Sequence, residues 1–237
     1  MNTSMKQTGH AFIAMAAVWF AYLVIAFTLA ADYQEALVEA AEDLGVSDNK
    51  LPAEAIAQVF EQHTAGSLVG LPILFAAPAI MLMTAFAVRK HWPSAFATWS
   101  VRTAVVSAAI WWAYLLIDSG SYLGPDNLPP LTRDIDVLTV PLVAAASAFA
   151  LVSVIAAAEG LRKAGVVRRA ARIASALAAF LLVAGLAGTF TSGFEDPLPP
   201  IALFPSSLIL GIALLRSARK EQPPAARLFI PVGQRED

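Results

Sequence analysis

Residues 137–158 have the sequence VLTVPLVAAASAFALVSVIAAA, a run of twenty-two residues without one charged side chain. A helix needs about 20 mostly apolar residues to cross the roughly 30 Å hydrocarbon core of a bilayer. The run is continuously apolar, whereas a lipid-facing barrel strand would alternate apolar and polar residues. The stretch therefore predicts a transmembrane helix and an all-α membrane protein.

Five more apolar runs lie along the chain, at 11–31, 66–88, 103–117 with its flanks, 173–191 and 201–215. The composition agrees, because 58% of the 237 residues are hydrophobic and 14% are charged, against about 25% charge in soluble domains. The mean hydropathy is +0.65. The sequence predicts a six-helix transmembrane bundle over residues 1–217 and a disordered tail over 218–237.

Lysine and arginine lie in alternate connecting segments. If the N-terminus is cytoplasmic, 14 of the 16 basic residues fall in cytoplasmic segments, and Lys50 and Arg133 fall outside. Membrane proteins concentrate Lys and Arg on the cytoplasmic side, so we expect both termini there. The first run is too long for a signal peptide, whose apolar region covers about 7 to 15 residues. The architecture resembles that of many six-span proteins of the bacterial inner membrane.

The longest segment between apolar runs, residues 32–65, carries eight carboxylates. Apolar residues recur at helical spacing from Ala36 to Leu44, Gly45 interrupts the pattern, and a second apolar group includes Val59 and Phe60. The pattern predicts two short amphipathic helices on the outer surface. The loop is interpreted as a solvated hairpin packed on the bundle; a lid that docks a partner or attracts cations is the alternative.

The second apolar run contains two prolines, and the third contains a group of aromatic residues. Pro72 and Pro78 each remove a helical hydrogen bond, so we expect a kinked helix that faces the bundle. Trp111, Trp112 and Tyr114 form an aromatic group that either lines an apolar pocket or serves packing. Trp19, Trp92 and Trp99 are expected nearer the aromatic belts at the membrane interfaces.

Asp118 is the acidic residue that the sequence predicts to lie deepest in the membrane. It follows fifteen apolar or small residues after Arg102 and lies one helical turn from Tyr114 and from Tyr122. A carboxylate at this depth needs a hydrogen-bond donor or takes a raised pKa, so Asp118 is a candidate functional residue. A plain position in the outer headgroup zone is the alternative.

Several kinds of chemistry lack the residues that they require. The chain has no cysteine, and His10, His63 and His91 are divided between the two predicted membrane edges, so we expect no haem, no metal site and no other cofactor. The sequence has no H-E-x-x-H zinc-binding motif, no G-x-S-x-G motif of a serine hydrolase and no G-x-x-x-x-G-K-[ST] phosphate-binding loop. The net charge of −2 also argues against binding nucleic acid.

Two functions from different classes remain. The first is a non-catalytic accessory or scaffold subunit, not an enzyme, that contacts membrane lipids and other membrane protein subunits. The alternative is a permease-like component for an apolar or amphipathic solute or lipid, with its path built around the kinked second helix and Trp111 and Trp112. Missing carboxylates at membrane depth argue against a transporter driven by ion gradients.

Overall fold

The computed structural model describes residues 2–28, 30–46, 51–63, 68–121, 139–193, 198 and 200–220, without the side chains of residues 26, 53, 117–121, 139 and 200. Over these ranges the chain forms eight α-helices and one short 3-10 helix, with no strand. The helices are α1 Asn2–Phe27, α2 Ala31–Leu44, α3 Ala53–Gln62, α4 Leu71–His91, α5 Ala95–Ser121, α6 Thr139–Lys163, α7 Arg168–Thr191, the 3-10 helix Pro200–Ala202 and α8 Leu203–Lys220.

Four helices are long and apolar enough to cross a membrane, judged by length and composition. They are α1 over Asn2–Ile25, α4 over Leu71–His91, α6 over Val140–Lys163 and α7 over Arg168–Thr191. The third and sixth predicted runs also fold as continuous helices, α5 and α8. Helix α5 carries the charged residue Arg102, and the last five residues of the eighteen-residue α8 include three basic ones. The expectation of an all-α fold with long apolar helices is confirmed at this level.

The six long helices form a closed ring. Helix α1 packs on α4, α4 on α5, α5 on α6, α6 on α7 and α7 on α8, and α8 returns to α1. Helix α6 also contacts α4 and α8, so it lies nearest the middle of the bundle. Neighbours in the ring are antiparallel: late in α4, for example, Thr84 donates from Oγ1 to the carbonyl oxygen of Ala11, early in α1, at 3.2 Å.

Small residues and serine hydroxyls join α5 to α6. The Ser153 hydroxyl donates to the carbonyl oxygen of Ser100 at 2.9 Å, and the two hydroxyl oxygens are 3.2 Å apart. About two helical turns further along α5, Ser107 donates to the carbonyl oxygen of Ala146 at 2.6 Å. Ala104 lies between the two serines on the same face of α5 and is fully buried. Small residues and interhelical hydrogen bonds are the usual basis of helix association in membranes, where lipid is as apolar as the side chains.

Helices α1 and α8 close the ring through glycines. A Cβ added to Gly211 of α8 would lie 2.8 Å from side-chain carbons of Ile13 and 3.0 Å from its backbone nitrogen. A Cβ on Gly9 of α1 would lie 2.9 Å from Leu215. The missing side chains therefore let the backbones of the first and last helices approach closely.

The two ends of the bundle differ in charge. Every lysine and arginine in the described part of the chain lies at the end that holds the start of α1 and the α6–α7 turn: Lys6, Arg89, Lys90, Arg102, Arg162, Lys163, Arg168, Arg169, Arg172, Arg216, Arg219 and Lys220. Arg102 is the deepest of them. Its guanidinium lies 5.5 Å from the ring of Trp99, one turn nearer the basic end, as expected of a long side chain that reaches toward water.

The opposite end carries the acidic hairpin α2–α3. Helix α2 contacts α1 and α3, and α3 contacts α5. Gly45 ends α2 in the left-handed conformation, with φ 67°, and its N–H bonds back to the last turn. These two helices match the short amphipathic helices expected in segment 32–65.

Two sequence expectations differ from the structure. Pro72 is the second residue of α4, where a missing N–H removes no helical bond, so only Pro78 removes one, and α4 continues past it without a break. Helix α8 continues to Lys220 and so includes residues 218–220, which the sequence assigned to the tail. The rest of that segment, 221–237, lies outside the described residues.

Candidate functional site

The candidate site is built around Pro78, which lies inside the continuous helix α4. Proline has no backbone N–H, so the carbonyl oxygen of Leu74, four residues earlier, loses its normal helical donor. In the structure the indole Nε1 of Trp111, on α5, donates to this oxygen at 3.1 Å. The neighbouring helix thus supplies the hydrogen bond that the proline removes, which is how membrane helices tolerate proline.

The second tryptophan of the pair bonds to the next carbonyl of α4, which Pro78 does not deprive of its helical donor. Nε1 of Trp112 donates to the carbonyl oxygen of Phe75 at 3.1 Å. Consecutive residues on α5 therefore bond to consecutive carbonyls on α4. The two indoles, called the Trp111–Trp112 clamp here, hold the turn of α4 before Pro78.

Trp111 is also the centre of an aromatic cluster. Its ring lies edge-on to that of Trp19, with centroids 5.6 Å apart and an interplanar angle of 85°. The ring of Tyr114 lies 5.5 Å away at 48°. Edge-to-face pairs at this separation are favourable beyond the area that they bury. The cluster fixes α1 to α5 beside the clamp.

A small cavity of about 10 Å³ adjoins this cluster. Among the residues that line it are Trp19, Pro78, Met81, Ser107, Trp111 and Ser147. The Ser107 hydroxyl is oriented by its bond to the carbonyl oxygen of Ala146. The cavity therefore lies where α1, α4, α5 and α6 meet.

The structure brings together four of the six residues singled out from the sequence. Pro78, Trp111, Trp112 and Tyr114 form one contiguous site. Pro72 is exposed at the start of α4, outside it. Asp118 falls within α5, but its side chain lies outside the described residues, as does the whole of Tyr122.

Three site residues were missed from the sequence. From the sequence, Trp19 was assigned to the aromatic belts and not to this site; in the structure only 4% of it is exposed, and it packs against Trp111. Ser107 and Ser147 are almost fully buried beside it. Serines that recur among alanines, as in 100–107 and 147–153, are the sequence signal that could have pointed to an interhelical contact.

The site offers hydrogen bonds but little chemistry. Its described side chains are indoles, hydroxyls and apolar groups, with no general base beside either serine. Buried polar side chains elsewhere in the described core, apart from aromatic ones, are also serine or threonine. In the same described ranges, no three His, Cys, Asp or Glu residues are placed to hold a metal ion. The arrangement suits packing and the binding of a small neutral molecule.

Comparison with known proteins adds no relative: no family model, no curated protein and no solved structure matches the chain.

Proposed function

We propose that the chain is an integral membrane protein in which α1, α4, α5, α6, α7 and α8 all cross the bilayer, with both termini in the cytoplasm of a bacterial-type cell. Two features support this topology. Helices α5 and α8 are integral members of the ring formed with the four helices that are long and apolar enough to cross a membrane. The twelve described basic residues share one end, as expected of a cytoplasmic face.

We propose further that the protein is a non-catalytic accessory or scaffold subunit. The observation that carries this proposal is the composition of the interior: between its charged ends, the described core consists of apolar residues, serines, threonines and aromatic side chains. Buried ionisable groups are the usual mark of catalysis or ion transfer in membranes. With the core devoted to packing, the outer surface is the part of the molecule left to carry a function.

Helix α7 has the outer face best suited to a partner helix. Only 22% of its apolar window is buried in the bundle, the smallest share of the four helices that are long and apolar enough to cross a membrane. Phe180, Val183 and Phe190 are each about two-thirds exposed, and Ala184 and Gly188 lie between them, one turn apart. A Cβ on Gly188 would meet nothing within 4 Å, so the surface is open there. Small residues one turn apart allow another transmembrane helix to approach closely.

Purification in a mild detergent after cross-linking in the membrane tests the scaffold role. We expect at least one membrane protein to copurify with the wild-type chain and to be lost from the Gly188→Leu variant, whose leucine fills the open surface. Met83→Leu, at a 64% exposed position on α4, is the control and should retain the partner. Equal recovery by both variants would contradict a partner site on α7.

The permease-like alternative is favoured by one observation, the position of Pro78 inside α4 and beside a cavity. Apolar segments that contain proline or glycine point to substrate sites in many transporters. A solute or lipid located between α4 and α5 in a purified, solitary chain would support this function. Copurifying subunits with an unoccupied α4–α5 contact would support the scaffold.

A further inference from the structure

Two residues that line the cavity beside Trp111 each carry a buried polar atom that has no partner in the described part of the protein. The two atoms are Nε1 of Trp19 and Oγ of Ser147. The two residues are only 4% and 2% exposed, and both line the cavity. A buried donor without an acceptor costs free energy, and the bilayer around the bundle offers none.

The size of the cavity selects its occupant. Its volume is about 10 Å³, which is close to the minimum that holds one water molecule, roughly 10–15 Å³. A lipid chain or an aromatic solute does not fit this space.

The polar groups around the cavity match water in their donors and acceptors. The indole N–H of Trp19 is a donor only, so it needs an acceptor. The Ser107 hydroxyl gives its hydrogen to Ala146 and keeps its oxygen lone pairs free to accept. Ser147 can do either. A molecule that accepts from Trp19 and donates to the serines therefore makes about three hydrogen bonds, the usual number for buried water.

The same groups argue against an ion. The described lining has no carboxylate to compensate a cation and no lysine or arginine to compensate an anion. An ion in this setting would carry an uncompensated charge into the centre of a membrane protein.

We propose that this cavity is a binding site for a single structural water molecule, which accepts a hydrogen bond from Trp19 and is shared with Ser147 and Ser107. The water joins α1, α5 and α6 next to the turn of α4 that contains Pro78. The Trp111–Trp112 clamp supplies donors to the carbonyl oxygens of α4, and the water supplies partners to the polar atoms of Trp19 and Ser147.

A crystal structure at a resolution that shows ordered water tests the site directly. We expect density within hydrogen-bonding distance of both Trp19 Nε1 and Ser147 Oγ. The density should disappear in Ser147→Ala and persist in Ser153→Ala, whose hydroxyl is equally buried but already bonds to Ser100. A dry cavity, or a direct bond between Trp19 and Ser147, would overturn the proposal.

Stability in lipid nanodiscs provides the second measurement. Ser147→Val fills the cavity and displaces the water, so it should lower the folding equilibrium constant while Trp19 keeps its unpartnered N–H. Trp19→Phe lowers the folding equilibrium constant by a certain factor in the wild-type background. In the Ser147→Val background that factor should be at least about threefold smaller, because the N–H that Trp19→Phe removes has already lost its partner. If Ser147→Val raises stability, or if the two effects are additive, the cavity is a packing defect and the proposal fails.

Discussion

The indole of Trp111 on α5 donates a hydrogen bond, 3.1 Å long, to the carbonyl oxygen of Leu74 on α4, the group that Pro78 deprives of its helical donor. A proline on one helix and a tryptophan on its neighbour thus form one structural unit. The unit explains how a helix that contains a proline can lie at membrane depth, where an unsatisfied carbonyl would be costly.

The coupling of Trp111 to Pro78 predicts a rescue. Trp111→Phe should lower the free energy of unfolding by about 1–3 kcal/mol, because the Leu74 carbonyl is left without a donor. In a Pro78→Ala background the new backbone N–H can bond to Leu74, so the same substitution should cost less. Reversible unfolding in mixed micelles measures both values. Phenylalanine removes the same volume in both backgrounds, so an equal cost would contradict the coupling.

The α5–α6 contact predicts a strong dependence on side-chain size. Ala104 is fully buried on the face of α5 that carries Ser100 and Ser107, whereas its neighbour Val105 is 47% exposed. Ala104→Leu should overpack the interface and cost about 1–3 kcal/mol. Val105→Leu, the control on the outer surface, should change the midpoint of thermal unfolding little. Comparable losses in both variants would refute the assigned orientation of α5.

The hydroxyl bonds between the same two helices predict a smaller effect. Ser153→Ala removes the bond to the Ser100 carbonyl, and interhelical hydrogen bonds in membrane proteins average about 0.6 kcal/mol. Thr191→Ala is the comparison, because Thr191 is exposed and bonds only within α7. We expect a small but measurable loss of unfolding free energy for Ser153→Ala and none for Thr191→Ala; the reverse order would count against an interhelical role.

The close contact between α1 and α8 predicts that Gly211 tolerates substitution far less than Gly188 does. Gly211→Ala places a methyl group against the side chain and backbone of Ile13, so it should destabilise the bundle by about 1–3 kcal/mol. Gly188→Ala adds its methyl group to open space and gains helix propensity. Thermal unfolding of the two variants should therefore shift in different directions, and a tolerated Gly211→Ala would mean that α1 and α8 are further apart.

The secondary structure of this chain could be predicted from its sequence because the signals are local. Charge-free runs locate the long helices, and Gly45 marks the end of α2 through a left-handed conformation that favours glycine. Pro72 was misjudged because the start of α4 could not be fixed to within a few residues. At the first turn a proline is harmless, whereas one turn later it is not.

The site could be predicted only in part, for a different reason. A helix that is apolar on all sides has no stripe that says which residues face inward. Trp19 and Trp99 look equivalent in the sequence, yet one is 4% exposed and the other 57%. The clamp on Leu74 and Phe75 depends on the register between α4 and α5, which no local pattern encodes.

The most direct test of the six-span topology is a pair of single-cysteine labels. The chain has no cysteine, so Glu39→Cys and Arg169→Cys each introduce a unique thiol at an exposed position. Helices α4, α5 and α6 separate the two sites, and an odd number of crossings puts them on opposite faces. We predict that a membrane-impermeant maleimide labels Glu39→Cys from outside spheroplasts and Arg169→Cys only in inverted vesicles. Labelling of both from the same face would contradict the account, because α5 would then not cross the membrane.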